Sequence, residues 1–376
     1  LLGGLRVMHI LEVLAYLTIV WMIAYRIFQS LVQAWLVVAL TVAVREVTEQ
    51  SGLIMTEPLY QLLYGAFALA LLAAWQEAWR SGLWLLTGVL LGLATMSKPT
   101  LQPLALALPL LALAGVRNGI RPGMAEGQTA ARWQTIAAPA MAVCGYLLAT
   151  APIMLRNSVL LGVPVLADPT YLEAALSHRV AYNRMNWGEW ARGWIYYLPD
   201  FGDNLSYALF GRSAVENLGF GPNGYYVWGR DVLHVQVHAM TAPAPATGLL
   251  IKTYVLGDIV KHAAVTALLF WRGLFVGGYV GLLALPSLVF AMLWAEPRVR
   301  TLLAILTVPA VIIAVLNAGA SVSIVRYNLA LVPVYAIALA WLLQPLVSRA
   351  VALLGIGVRS TSANGQGDSA NRASER

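Results

Sequence analysis

The sequence has few charged residues. Asp, Glu, Lys and Arg make up 11% of its 376 residues, whereas 60% are hydrophobic. A soluble globular domain usually carries about 25% charged residues. Long apolar runs recur along the chain, and ~20 apolar residues are enough to cross the ~30 Å hydrocarbon core of a bilayer. The shortage of charge therefore excludes an ordinary soluble domain and indicates a polytopic integral membrane protein.

Cysteine is also scarce. The single residue, Cys144, excludes an internal disulfide and leaves the redox compartment open. The net charge of +7 does not predict nucleic-acid binding, because Arg and Lys in the cytoplasmic loops of membrane proteins account for such an excess. The sequence contains no recognisable P-loop, nucleotide-binding glycine pattern, metal-ligand spacing or Ser-His-Asp grouping.

Apolar runs and turn signals predict an all-α bundle of about nine transmembrane helices. The predicted spans are 8–25, 31–44, 56–75, 83–96, 101–116, 135–155, 262–294, 301–317 and 328–347.

The spans divide the chain into four parts. Residues 1–156 and 261–348 form the N-terminal and C-terminal transmembrane helices, and 157–260 form one large extracytoplasmic loop region with short helices. The Ser- and Asn-rich tail, 349–376, is predicted to be disordered and cytoplasmic. The Trp- and Tyr-rich stretch at 187–197 predicts a helix lying at the bilayer interface.

Basic residues orient the chain, because the side richer in Arg and Lys faces the cytoplasm. Chain reversal after each span places the larger group on one side: Arg26, Arg80, Arg117, Arg121, Arg132, Arg298, Arg300 and Arg349. The short segments on the other side hold only Arg45, Lys98 and Arg326. Region 157–260 should therefore face outward from a multi-pass protein of a bacterial inner membrane.

Four charged residues lie at outward span ends: Glu57, Lys98, Arg156 and Arg326. Each one alone is equally well explained as an anchor that reaches from the helix end to water. Together they predict one outer pocket for an anionic, lipid-linked substrate, because Arg and Lys hold phosphate through charge-assisted hydrogen bonds. Glu57 could hold a divalent metal ion that bridges to phosphate oxygens.

Two residues of region 157–260 are weaker candidates. Asp168 precedes Pro169 and is typical of a helix N-cap. His178 lies on the same predicted helix, where a histidine is more often a solvated surface residue than a catalytic one.

The order of motifs resembles the GT-C superfamily of integral membrane glycosyltransferases. The similarity is to the branch that contains protein O-mannosyltransferases and the lipid A aminoarabinose transferase, and it covers most of 5–345. It rests on MTEPLY, GVLLGLATMSKPT, APIMLRNSVLLGVPV and SIVRYNLALVPVYAIALAW. In these motifs Glu57 matches the family's acidic position, Lys98-Pro99-Thr100 its basic-Pro-Thr step, and Arg326-Tyr327 the Arg-Tyr before its last span.

The resemblance implies transfer of a sugar from a polyprenyl-phosphate donor to a protein, lipid or glycan acceptor on the outer side of the membrane. Lys98, Arg156, Arg326 and Tyr327 would bind the donor phosphate. The family's catalytic Asp or Asp-Glu pair follows its first span. That region is expected to lie before Leu1, so the resemblance assigns no catalytic base within 1–376.

Two other functions use outward basic groups. A transporter or flippase for lipid-linked glycans would bind the same lipid, and a non-catalytic assembly subunit would only hold it. Transporters often contain internal repeats and charged residues within spans, whereas the charges here lie at span ends.

The charge bias makes a topology prediction. With Cys144→Ser as a background, Asn223→Cys should react with a membrane-impermeant thiol reagent in intact cells, and Gly119→Cys should react only after lysis. Labelling of Gly119→Cys with protection of Asn223→Cys would reverse the orientation.

Overall fold

The computed structural model describes residues 2–49, 56–77, 80–118, 132–241 and 245–353, and all regular elements in these ranges are helical. The predicted all-α class is therefore confirmed. The N-terminal helices are α1 (Leu2–Phe28), α2 (Leu31–Val42), α3 (Arg45–Glu49), α4 (Glu57–Gln76), α5 (Ser81–Ser97), α6 (Leu104–Asn118) and α7 (Arg132–Leu161).

Short helices follow where the extracytoplasmic region was predicted. They are α8 (Pro169–Ala181), α9 (Trp187–Tyr196), α10 (Gly202–Phe210), α11 (Tyr225–Trp228), α12 (His234–Thr241) and α13 (Thr247–Leu250). Two of them continue as π-helical turns, Gly229–Leu233 after α11 and Ile251–Val255 after α13.

The last helices are α14 (Ile259–Leu274), α15 (Tyr279–Trp294), α16 (Pro297–Ala320) and α17 (Leu331–Leu353). Backbone contacts separate a large unit, Leu1–Trp341, from a small one, Leu342–Arg376. The described part of the small unit is helical as far as Leu353. The predicted disordered tail therefore does not begin at Arg349, and its remainder, 354–376, lies outside the described residues.

Among the residues that the structure describes, five helices are long and apolar enough to cross a membrane, which supports a membrane protein. They are Gly4–Phe28, Glu57–Gln76, Ile136–Leu161, Pro297–Ala320 and Leu331–Leu353. Thr247–Val255 and Ile259–Leu274 would add a sixth span only if this pair, bent by 99°, counts as one.

The single span predicted at 262–294 is wrong, because the chain breaks there into α14 and α15. Gly277 and Gly278 both have positive φ, 82° and 58°, a conformation that glycine adopts without steric cost. The carboxylate of Asp200 lies against Gly278 and accepts a hydrogen bond from the backbone N–H of Tyr279 at 2.9 Å. The predicted span ran through the Gly277-Gly278 pair, although a Gly-Gly pair is a turn signal.

Helices α5 and α7 pack with their backbones in direct contact. A Cβ atom at Gly88 would overlap the carbonyl oxygen of Ala142, and one at Gly145 would overlap that of Leu85. Small residues allow such close approach in membranes, where dispersion contacts replace the hydrophobic effect between helices. Gly88 and Gly92 of the GLWLLTGVLLGLA segment therefore serve packing, since an added Cβ at Gly92 would also meet Ala149 of α7, whereas Gly82 has open space around it.

The Trp-rich helix α9 packs against α14. The indole N–H of Trp190 donates to the carbonyl of Ala264 at 2.8 Å, and that of Trp271 donates to the carbonyl of Trp194 at 3.0 Å. Only the first aromatic residue of the helix, Trp187, is largely exposed. Much of the aromatic density that predicted an interfacial helix is therefore used in protein packing.

Arg179 of α8 joins this region to α14 and α16. Its side chain is fully buried. Nε donates to the carbonyl of Ala318 at 2.6 Å, and one terminal nitrogen donates to the carbonyl of His262 at 3.0 Å and the hydroxyl of Thr266 at 2.7 Å. The other donates to Asn183 at 3.0 Å. One guanidinium therefore ties three helices together.

Removal of this guanidinium should destabilise the fold. Arg179→Ala leaves buried carbonyl groups without their donor and should cost about 3 kcal/mol or more, which thermal unfolding in detergent would measure. The control is Arg212→Ala, an exposed arginine, whose cost should stay within about 0.5 kcal/mol. Equal melting temperatures for the two variants would contradict this role.

Candidate functional site

Charged residues from separate helices meet at one cavity of about 610 Å³. We call it the charged cavity, and its principal lining residues are Glu57, Lys98, Asp168, Tyr171, Arg326 and Tyr327. They come from the start of α4, the end of α5, the start of α8 and the turn between α16 and α17. The structure therefore brings three of the four predicted span-end charges to one place.

Lys98 lies between two aromatic rings. Its helix ends at Ser97, and the side chain is 9% exposed. Nζ is 4.6 Å from the ring centroid of Tyr60 and 4.7 Å from that of Tyr327, and it donates to the backbone carbonyl of Arg326 at 3.3 Å. Cation–π contacts hold an ammonium group without neutralising it, so the positive charge remains available to a ligand.

Burial makes this charge titratable. Desolvation lowers the pKa of Lys98 to about 7; the carboxylate of Glu57 opposes this change, and the guanidinium of Arg326 adds to it. Only the protonated ammonium attracts an anion. Lys98 therefore binds an anion best below neutral pH, and a bound anion would itself favour the protonated form.

Glu57 and Arg326 face each other without a close hydrogen bond. Glu57 occupies the first turn of α4, where the helix dipole favours a carboxylate. Its Oε1 lies 3.9 Å from Nε of Arg326, and this buried Nε has no hydrogen-bond partner among the described residues. The guanidinium therefore keeps donors that a ligand could use.

A buried amide network positions Arg326 and Tyr327. Nδ2 of Asn317 donates to the carbonyl of Tyr327 and to Oδ1 of Asn328, both at 2.9 Å. Asn328 in turn donates to the carbonyl of Gly273 and to the hydroxyl of Ser323, both at 3.1 Å. These bonds fix the turn between α16 and α17. Sequence reasoning missed both asparagines, although two amides flanking a polar turn in apolar surroundings were a usable signal.

Asp168 reaches the charged cavity but acts as a helix cap. Its Oδ1 accepts hydrogen bonds from the backbone N–H of Thr170 at 2.9 Å and from its hydroxyl at 2.8 Å. These bonds hold the pKa of Asp168 below its usual value. The predicted cap is confirmed, and a carboxylate that is already engaged and readily ionised is a poor proton acceptor.

Arg156 and His178 do not line the charged cavity. Arg156 is exposed on α7, and the next residue, Asn157, turns inward and donates to the carbonyl of Val165 at 2.7 Å. Successive helical residues point about 100° apart, so the sequence could not decide which of the two faced inward. Arg156 therefore does not join the expected cluster.

His178 packs on Tyr226, with ring centroids 4.9 Å apart. Burial, and then neighbouring His234 and Arg230, lower the pKa of His178 to about 4. Its imidazole is therefore neutral at physiological pH.

The side chains of the charged cavity do not form a metal centre by themselves. Within the described ranges, no three His, Cys, Asp or Glu side chains are grouped to hold an ion. Glu57 shares its cavity with two cations. Mg²⁺ can bind one or two carboxylates together with substrate phosphates, so a metal ion at Glu57 would need the substrate and stays a prediction.

An apolar cleft of about 270 Å³ adjoins the charged cavity, and the two share Pro99, Ala167, Asp168 and Tyr171. Its further lining includes Pro103, Val165, Leu166, Leu172, Ala175 and Leu316. A charged pocket beside an apolar cleft matches the two ends of an amphiphile: an anionic head and a hydrocarbon tail.

Comparison with known protein families, with curated proteins and with solved structures finds no match to this chain. Functional inference therefore depends on the site itself and on the motif resemblance.

Anion binding at the charged cavity should weaken as pH rises through about 7. A short-chain alkyl phosphodiester is a suitable probe, because its own charge is constant between about pH 6 and about pH 9. Calorimetric titration in detergent should give lower affinity at the higher pH. Lys98→Arg keeps its charge over this range and should abolish most of the dependence. The same pH profile in both proteins would show that Lys98 is not the titrating group.

Proposed function

We propose that the protein is an integral membrane glycosyltransferase that moves a sugar from a polyprenyl-phosphate donor to an acceptor outside the cytoplasm. The observation that carries this proposal is the charged cavity, where Lys98 and Arg326 accompany Glu57 beside an apolar cleft. The phosphate of the donor would lie between the two cations. The first isoprene units would enter the cleft.

The proposed reaction is a single displacement. The acceptor hydroxyl loses its proton to a base and attacks the anomeric carbon, and the bond from that carbon to the phosphate oxygen breaks. The polyprenyl phosphate leaves with the electron pair. Lys98 and Arg326 would stabilise the charge that develops on it, and such placed charges usually give the largest catalytic effect. No described residue is assigned as the base.

The proposed topology has about nine spans. Besides the five long helices, four shorter apolar helices would cross the membrane: Leu31–Val42, Ser81–Ser97, Leu104–Arg117 and Tyr279–Trp294. With these crossings, the start of α4 and the end of α5 lie on the same side as region 162–278. The meeting of these segments at one cavity supports this arrangement, since residues on opposite sides of a bilayer could not share a pocket. The side is proposed to be the outer face of a bacterial inner membrane.

The acceptor is proposed to be a protein, a lipid or a glycan. A flippase is the alternative, and it would use the same cavity to bind the lipid-linked sugar. The two functions differ in their products, because a transferase releases polyprenyl phosphate whereas a flippase moves an intact lipid across the membrane. Release of the free polyprenyl phosphate by full-length protein in proteoliposomes would therefore separate them.

Arg326 and Arg156 provide a matched test, since both are outer-side arginines and only Arg326 lines the cavity. Arg326→Ala should weaken binding of a short-chain polyprenyl-phosphate sugar by roughly tenfold or more. This loss of affinity corresponds to the free energy of one charge-assisted hydrogen bond. Arg156→Ala should bind like the unchanged protein. Calorimetry in nanodiscs measures both affinities.

Equal affinity of these two variants would contradict the assignment of the charged cavity as the binding site of the donor phosphate. Expression and melting temperature should stay near those of the unchanged protein in both cases, because partly exposed arginines contribute little to stability.

A further inference from the structure

A second cavity of about 610 Å³ lies beside the charged cavity, and Arg326 lines both. We call it the arginine cavity. Its principal residues are Glu46, Phe220, Tyr226, Arg230, Arg272 and Arg326. They come from α3, from the segment before α11, from α11 and the π-helical turn after it, from the end of α14 and from the turn after α16. None of these residues except Arg326 belongs to the predicted donor site.

The arginine cavity contains guanidinium donors that are not used within the protein. Arg230 is neutralised by Asp231 through contacts of 2.6 and 2.9 Å. By contrast, one terminal nitrogen of Arg272 and Nε of Arg326 are buried and have no hydrogen-bond partner in the described part of the chain. Unsatisfied buried donors are rare in proteins. The one on Arg272 indicates that an anion completes the arginine cavity, whereas Nε of Arg326 faces Glu57 at 3.9 Å.

Aromatic stacking holds Arg272 in place without consuming its charge. The guanidinium carbon lies 4.9 Å from the ring centroid of Tyr197 and 4.6 Å from that of Phe220. A stacked guanidinium leaves its in-plane N–H groups free for bidentate recognition of carboxylate or phosphate. Arg272 is therefore preorganised for an anionic group.

The remaining wall suits a sugar ring. Phe220 and Tyr226 meet edge to face, with ring centroids 5.2 Å apart, and Phe220 is 51% exposed. Flat apolar faces fit the C–H face of a pyranose. Oε2 of Glu46 is buried and has no partner in the described ranges, so it could accept a hydrogen bond from a sugar hydroxyl.

We propose that the arginine cavity is the acceptor subsite and binds a pyranose that carries a carboxylate or phosphate group. This inference rests on the proposed function, because it names the acceptor for the same transfer. The shared residue, Arg326, would bring the acceptor next to the donor phosphate. A second polyprenyl phosphate is a poorer occupant, since the apolar cleft adjoins the charged cavity through Pro99 and Tyr171. A cationic peptide is disfavoured by the positive charge of Arg272.

Ligand-observed NMR tests the subsite without any lipid donor. Saturation-transfer difference spectra of the full chain in detergent would compare glucuronate, glucose 6-phosphate and glucose. At least one anionic sugar should bind roughly tenfold more tightly than glucose, with transfer strongest at ring C–H protons. Whichever anionic sugar binds better identifies the acceptor charge as carboxylate or phosphate. Equal binding of all three sugars, or no transfer to any, would overturn the proposal.

Variants separate this subsite from the donor site. Arg272→Gln should weaken binding of the anionic sugar roughly tenfold. Phe220→Leu, a half-exposed position with little consequence for folding, should reduce transfer to the ring protons. Arg212→Gln, outside the cavity, should bind like the unchanged protein. Equal anionic-sugar affinity of Arg272→Gln and Arg212→Gln would also overturn the proposal.

The variant Lys98→Met distinguishes a failure of the proposed donor site from a failure of the proposed acceptor subsite. It should weaken binding of the alkyl phosphodiester but not of the anionic sugar, and Arg272→Gln should show the opposite pattern. If Lys98→Met leaves phosphodiester binding intact, the donor assignment fails while the sugar titrations still decide the acceptor subsite. If Arg272→Gln weakens the phosphodiester instead of the sugar, the arginine cavity is part of the donor site and the acceptor proposal is wrong.

Discussion

Both candidate cavities depend on the buried amide hydrogen bonds that fix the turn between α16 and α17. Asn317 and Asn328 bind the backbone of this turn and connect it to the end of α14 at Gly273. Arg326 then faces two cavities, and its carbonyl accepts the hydrogen bond of Lys98. Buried amides cost free energy unless their partners are in place, so this network favours one conformation of the turn.

Two cations of these cavities, Lys98 and Arg272, are held by aromatic rings rather than by carboxylates. Lys98 lies between Tyr60 and Tyr327, and Arg272 between Tyr197 and Phe220. An ion pair would also have held them in place, but it would have cancelled much of the charge. Aromatic rings hold a cation in position without cancelling its positive charge. This arrangement is expected where an anionic ligand supplies the counter-charge.

The region between α7 and α15 is a packed part of the protein with apolar clusters of its own. One cluster combines Tyr182, Met185 and Leu218 with Leu268 and Leu269 of α14, and another lies between α8 and α12. Arg179 joins α8 to α14 and α16, and α8 contributes Asp168 and Tyr171 to the charged cavity. The same helices that stabilise this region therefore complete the charged cavity.

The sequence alone determined the membrane class, the approximate positions of most apolar helices and three charges of the site, Glu57, Lys98 and Arg326. These follow from composition and from charges at helix ends, which are local properties. It could not predict which way α15 runs after the break at Gly277-Gly278, that Arg156 points away from the charged cavity, or the pairing of Arg272 with Phe220. Each of these features depends on which helices pack against each other. In apolar surroundings, that packing is set by close backbone contacts and by buried hydrogen bonds between residues far apart in the chain. Tertiary structure therefore decided the composition of both cavities.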